Sequence, residues 1–161
     1  MMKLRLIFIV VMSAGALSAC SEEVPSQAVE AEREIVIVRP DTAVMTKQRL
    51  PNFVGISQST ANARAISMNL VVIPPGGEAE PHYHKDYESA VYTLEGEAEV
   101  RYGTGLAKSI VVKAGDFLFI PANVPHQPVN LSATEPVRAI VARNDANEQE
   151  SVVPYDPGET R

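Results

Sequence analysis

The chain has 161 residues, 45% hydrophobic and 21% charged, with a formal net charge of −6. That is room for one globular domain rather than two, and with no basic cluster it argues against a nucleic-acid partner. Trp is absent, Pro occurs 12 times and β-branched runs recur, a composition that leans towards short strands and turns.

The first segment differs from the rest. Lys3 and Arg5 precede an almost wholly apolar stretch, Leu6 to Leu17. About twelve apolar residues are too few for a membrane span, which takes roughly 20, and suit a signal-peptide core. Ordinary cleavage after Ala19 would put Leu17 where a small residue is preferred; a cut after Ala16 is the alternative. Leu17-Ser18-Ala19-Cys20 resembles a bacterial lipobox. That resemblance implies a lipoprotein signal peptide over 1–19 and lipidation of Cys20, the sole cysteine. It also implies a membrane anchor through that lipid and a place in the bacterial cell envelope. Ser21, rather than Asp, follows the cysteine, which by the same resemblance favours the periplasmic side of the outer membrane. An acidic body has little attraction of its own for an anionic membrane. Residues 20–34, polar and acidic, read as a largely disordered tether, with the folded domain over 35–161.

Strand-like segments broken by Gly and Pro follow. Ile35 to Val38 is short and β-branched. In Ala65 to Ile73, Ile66, Met68, Leu70 and Val72 share one face, with Ser67 and Asn69 opposite. Pro74 to Gly77 stops this strand. Glu97 to Tyr102 alternates again, and Lys108 to Lys113, Phe117 to Ile120 and Val137 to Ala142 complete the set. No segment after the signal reads as an amphipathic helix. The class is all-β, a sandwich or barrel.

His82, His84 and His126 are all the histidines present. Residues i and i+2 of a strand share a face, about 6.6 Å apart at Cα, so His82 and His84 can converge on one ion. His126 joins them only if the fold brings distant strands together. Alone, the His-x-His pair is weak evidence.

Gly76, five residues, His82-x-His84, Glu88 and Gly96 together resemble the first cupin motif. Gly115, five residues, Pro121, Asn123, His126 and Asn130 resemble the second. "SMNLVVIPPG", "GDFLFIPANVPHQPVN" and "ARNDANEQE" are similar to small single-domain cupins labelled mannose-6-phosphate isomerase-like. The resemblance implies a single RmlC-like jelly-roll β-barrel with a divalent metal ion inside (Mn, Fe, Zn, Co or Ni), held by His82, His84, Glu88 and His126. It implies a small-molecule ligand and favours a homodimer, although no interface is readable. Two positions depart from the motifs. Asn123 stands where Gly is usual, and Asn tolerates a left-handed backbone. Ser89, not Glu88, occupies the usual register of the acid.

Parity bears on that second departure. Glu88, Ala90, Tyr92 and Leu94 share one face, and Ser89, Val91 and Thr93 the other. The first face is bulkier, and a carboxylate is a better ligand than a serine hydroxyl. Glu88 is therefore expected to face inward with the help of a bulge or longer strand; a three-histidine site with Glu88 exposed is the alternative. Tyr92 is a weak catalytic candidate or simple core packing. Asn130 is expected to fix a turn, and Ala142 to Glu150 to be solvated, with folding over the barrel or a partner subunit as the alternative. Two functions stay open: a metal-dependent enzyme of oxygenase or isomerase type, and a non-catalytic envelope protein binding a metal or small ligand. A structural barrel with a vestigial metal is a third. Scattered basic residues and a place outside the cytoplasm argue against a phosphosugar substrate.

Overall fold

The computed structural model describes residues 34–147, 149 and 151–158. The signal peptide, Cys20 and all but the last residue of the tether lie outside the described residues. Ile35–Arg161 form one compact unit.

Among the described residues the unit holds eleven strands: β1 (Val44–Met45), β2 (Pro51–Ile56), β3 (Ser67–Ile73), β4 (His82–His84), β5 (Ser89–Glu95), β6 (Glu97–Tyr102), β7 (Lys108–Lys113), β8 (Phe117–Ile120), β9 (His126–Asn130), β10 (Val137–Arg143) and β11 (Val152–Pro154). All described pairings are antiparallel. One sheet runs β1-β2-β3-β10-β5-β8 and the other β11-β4-β9-β6-β7. This is the all-β jelly roll implied by the paired motifs. One helical turn, α1 (Gln58–Ala61), is capped by Ser57, whose side chain accepts from the Thr60 amide. Among the described residues no helix is long and apolar enough to cross a membrane.

The strands of Glu97, Lys108 and Phe117 start and end where the alternation places them. Ile35 to Val38 forms no strand. β5 and β6 meet at Gly96, where φ is +80° and a Cβ would lie 2.7 Å from the Pro136 carbonyl oxygen. Only glycine fits so close an approach.

Inside, the barrel is graded. Ile73, Ala98, Val100, Val112 and Val137 are buried in the apolar core. Along β9 the register sets Asn130 against Ala98, Pro128 against Val100 and His126 against Tyr102. The core thus fills the Asn130 end and leaves the His126 end to polar side chains. β10 carries the same gradient, from Val137 opposite Ile73 to Arg143 opposite Ser67 and Ser89. Asn130 fixes its turn as expected: Nδ2 donates to the carbonyls of Ile73, Pro74 and Glu135 at 3.1, 3.0 and 2.8 Å.

Two expectations are corrected here, and β3 shows the physical reason for the first. In β3 the inward side chains are Asn69, Val71 and Ile73, while Met68 is 45% exposed; the apolar face of that strand is the outer one. In β5 the inward residues are Ser89, Val91 and Thr93. The ladder from β5 to β10 is regular from Ser89 to Thr93 and slips only beyond it, where Glu95 meets Arg138. No bulge lies where it could turn Glu88 inward, so Glu88 is exposed. In the C-terminal segment, Arg143, Asp145, Ala146 and Ser151 are buried; the segment packs on the domain, and Gln58 donates its amide to the Ala146 carbonyl at 2.9 Å.

Candidate metal centre

Strand register makes the site. β4 pairs antiparallel with β9, and His82 lies directly opposite His126. His84, two residues along β4, shares their face. The ring centroids of His82 and His126 are 4.4 Å apart, those of His82 and His84 5.1 Å and those of His84 and His126 5.4 Å. One nitrogen from each ring falls within 4.8 Å of the other two. All three side chains are buried.

Two of the rings are already oriented. His82 Nδ1 lies 2.7 Å from the Glu80 carbonyl oxygen and His126 Nδ1 2.9 Å from that of Val124. A carbonyl only accepts, so each Nδ1 carries the proton and each Nε2 presents a lone pair. This is how a carbonyl fixes the tautomer of a metal-ligating histidine. Burial pushes the pKa of His82 down to about 3, helped by His126 and Arg143 and opposed by the Glu80 carbonyl. Burial likewise lowers His126 to about 4, with the Val124 carbonyl opposing and Arg143 assisting. His84 falls furthest, through burial and then the adjacent Arg143 charge. Three neutral imidazoles at neutral pH are the ligand form that a divalent ion needs.

The third ring is held differently. Arg143 Nη2 donates to His84 Nε2 at 2.9 Å, and Arg143 Nε donates to Ser89 Oγ at 3.0 Å. Nδ1 of His84 is buried without a hydrogen-bond partner. Because Nε2 accepts from Arg143, the neutral ring carries its proton on Nδ1, so Nε2 is the lone-pair nitrogen in all three histidines, the donor set that a divalent cation takes. The three histidines could therefore hold a divalent metal ion.

Among the described residues, no carboxylate lines the cavity around the cluster, a space of about 100 Å³. Glu88 is not brought to the histidines: it is exposed and its amide donates to Asn144 Oδ1 at 2.8 Å. Tyr92 stands on the outside of the barrel, tilted against Phe117 with centroids 4.6 Å apart. It is not among the residues that line the cavity.

Sequence reasoning missed Arg143 as part of the site. Its signal was available, because Ala139, Val141 and Arg143 share a parity and two of the three are inward-facing aliphatics. A charge on that face at a strand end marks a functional wall. Asn123 bears out the tolerance expected of it, with φ at +63°. It also joins the two motifs. Its amide donates to the His84 carbonyl at 2.9 Å, its Oδ1 accepts from the Asp86 amide at 3.0 Å, and its Nδ2 donates to Asp86 Oδ1 at 3.2 Å.

Residues 69–143 match the family described as Cupin domain. No curated protein matches the chain. Among solved structures, a Lactobacillus farciminis oxalate decarboxylase, in complex with formate, is similar at 25% identity and a TM-score of 0.60, over 70% of this chain and 33% of that one. The Bacillus subtilis oxalate decarboxylase is 20% identical with a TM-score of 0.60, over 70% and 29%. A Klebsiella pneumoniae protein of uncharacterised function with a double-stranded β-helix domain is 19% identical with a TM-score of 0.57, over 78% of this chain and 98% of that one. The chain thus spans about a third of the oxalate decarboxylases and nearly all of the Klebsiella protein.

Proposed function

We propose that the cupin domain carried by this chain binds one divalent transition-metal ion through Nε2 of His82, His84 and His126 and receives a small molecule beside it. The observation that carries this is the pair of carbonyl clamps, Glu80 on His82 and Val124 on His126, which aim two lone pairs into one buried point. A bound ion would supply Lewis acidity towards a ligand oxygen. The chain's own groups would do the rest. Arg143 supplies N–H donors at one side of the cavity, and aliphatic side chains such as Val71, Val91 and Leu118 limit its size and exclude water. The same wall suits no phosphosugar: Arg143 is the sole cation among the described lining residues, where a phosphate calls for clustered Arg or Lys. The similarity to small cupins labelled mannose-6-phosphate isomerase-like therefore does not extend to that substrate.

Mn(II) is the first ion to test, since the Bacillus subtilis oxalate decarboxylase is described with Mn(II) centres; Fe, Zn, Co and Ni follow. Elemental analysis of the chain purified from its native compartment tests the reading. About one equivalent of a transition metal, lost in His126→Ala with the fold intact, supports it. A metal-free chain with three intact histidines would sink it.

A second reading has its own support. Among the described residues the cavity presents no carboxylate acid or base beside the histidines, which favours a non-catalytic binder over an enzyme. Oxygen uptake and turnover of small carboxylates by the metal-loaded chain divide the two. In either case the lipobox-like Leu17-Ser18-Ala19-Cys20 supports a domain tethered in the bacterial envelope by a lipid on Cys20. Mass spectrometry of the mature N-terminus, showing an acylated Cys20 or a free one, decides that part.

A further inference from the structure

A second concavity lies on the outer face of the five-stranded sheet, at its β11-β4-β9 end. Its space is about 340 Å³, against about 100 Å³ inside the barrel, and small-molecule sites run from ~300 to ~1,000 Å³. Two tyrosines line it. Tyr83 lies between His82 and His84 in β4, so its side chain takes the opposite face from theirs, and it pairs with Val153. Tyr155, two residues further along that ladder, donates its amide to the Pro81 carbonyl at 2.9 Å. The two tyrosines are therefore diagonal neighbours, whose stems stand ~7–8 Å apart. Among the described residues their rings make no contact with each other. Carbon atoms pack at ~3.5–4.0 Å, so this spacing admits one ring between two.

We propose that the groove binds a pyranose ring of a neutral saccharide between Tyr83 and Tyr155. The negative face of an aromatic ring attracts the C–H groups on the face of a sugar, and the hydroxyls at the sugar's edge each need a donor and an acceptor. The rim supplies both, in Lys85, Asp86, Thr104 and Asn123. Lys85 is exposed and in no ion pair among the described residues. One ammonium and one carboxylate cancel, so the rim selects no net charge, and two adjacent hydroxyls can meet both groups. A flat aromatic ligand is the competing occupant. It would fill the slot and use none of these four polar side chains.

The groove is ordered before any ligand arrives. Tyr155 Oη accepts from the Gly105 amide at 2.8 Å, which fixes the ring and leaves the hydroxyl proton to donate. The Gly103 amide donates to the Pro125 carbonyl at 2.9 Å, tying the turn Thr104–Leu106 to the start of β9. Asn123 Nδ2 donates to Asp86 Oδ1 at 3.2 Å, so Oδ2 remains for a hydroxyl. Groups already held lose little freedom on binding.

Proton–nitrogen correlation spectra of the isotope-labelled whole chain test the proposal, in detergent where Cys20 is acylated and with Zn(II) in place of any paramagnetic ion. The probes are methyl α-glucopyranoside, methyl β-galactopyranoside and N-acetylglucosamine, up to about 100 mM, well above the ~1 mM dissociation constant expected of ligands this small. The expected result is saturable shifts from at least one of them, confined to the amides of residues 83–86, 103–106, 123–124 and 155. Tyr83→Ala should weaken that binding at least ~10-fold, and Lys85→Met at least ~3-fold. Lys85 is exposed, so its variant folds whatever Tyr83→Ala does. No saturable shift from any probe, shifts centred instead on the barrel lining around the histidines, or unchanged affinity in whichever variant folds overturns the proposal. So does phenol shifting these amides where no pyranoside does, which would assign the groove to an aromatic ring.

Discussion

Arg143 Nη2 donates to His84 Nε2 at 2.9 Å, on the nitrogen through which His84 would meet a metal ion. The guanidinium and a divalent cation therefore compete for one lone pair, and they also repel each other. Two such charges a few ångströms apart in a partly screened interior cost several kcal/mol at most. Arg143→Met is expected to raise metal affinity by roughly tenfold or more, equivalent to about 1.4 kcal/mol. Calorimetric titration of the stripped protein with Mn(II) or Zn(II) checks this. If Arg143 instead orients His84 as a supporting partner would, the substitution lowers affinity, typically 10- to 100-fold, and the competition argument fails.

The histidines fix how stability depends on pH. Each has a folded pKa below its ordinary 6.5, with His82 near 3 and His126 near 4. Below pH 6.5 the unfolded chain takes up protons that the fold refuses. The unfolded state then binds more protons, so stability rises with pH across this window. The contribution is fully present above 6.5 and is lost as pH falls towards 4 and then 3. Each histidine adds up to about 1.4 kcal/mol per pH unit while its two forms differ. Urea melts of the metal-free chain between pH 7 and 4 are expected to show midpoints falling steeply with acid. His82→Gln should flatten that slope; an unchanged slope would remove His82 from the account.

The same pKa values make a second measurement decisive. Histidines that are already neutral release no proton when a metal binds. Calorimetry at pH 6 in two buffers of different ionisation enthalpy should give close to zero protons released per ion. An ordinary exposed trio, with pKa values near 6.5, would release more than one. Release of that size would mean the rings are less buried than the fold has them.

Ser89 and Glu88 separate ligand identity from sequence proximity. Glu88 is exposed and Ser89 faces the histidines. Glu88→Gln is expected to leave metal affinity within about twofold, as surface changes usually do. Ser89→Glu puts a carboxylate at the inward position beside Arg143, and metal affinity should rise. Paired titrations test both; a large loss in Glu88→Gln would restore Glu88 as a ligand and overturn the orientation of β5.

Much of this was legible beforehand, for a physical reason. Alternation of period two survives in β6, where Ala98 and Val100 are buried and Glu97 is exposed, so that strand reads directly from its residues. His82, His84 and His126 carry their chemistry in their identity, and the motif spacing supplied the register that local pattern could not. The expectation that fails is the one that set the bulkier face of β5 inward. In β3 and β5 the larger apolar side chains face out, and Asn69, Ser89 and Thr93 face in. A barrel whose histidine end is polar inside, beneath an apolar outer sheet face, departs from the usual rule there, and parity alone cannot tell which face is which. That departure hid Ser89 and Arg143 and promoted Glu88 and Tyr92.

Asn123 offers the sharpest separation of backbone from side-chain effects. Its φ of +63° is one that glycine adopts without cost, so Asn123→Gly relieves the backbone. It also removes two hydrogen bonds to Asp86, in the turn that follows His84. Each such bond is worth about 0.5–1.5 kcal/mol net, and left-handed relief for Asn recovers less than ~1 kcal/mol. The balance predicts a loss of about 1 kcal/mol in stability. The amide of residue 123 still donates to the His84 carbonyl, which keeps β4 against the second motif. Metal affinity should therefore change little while the melting midpoint falls. Denaturant melts and metal titration on the same variant check both halves. A variant as stable as the parent would mean that the Asp86 contacts contribute nothing and that Asn123 stands there only for its backbone.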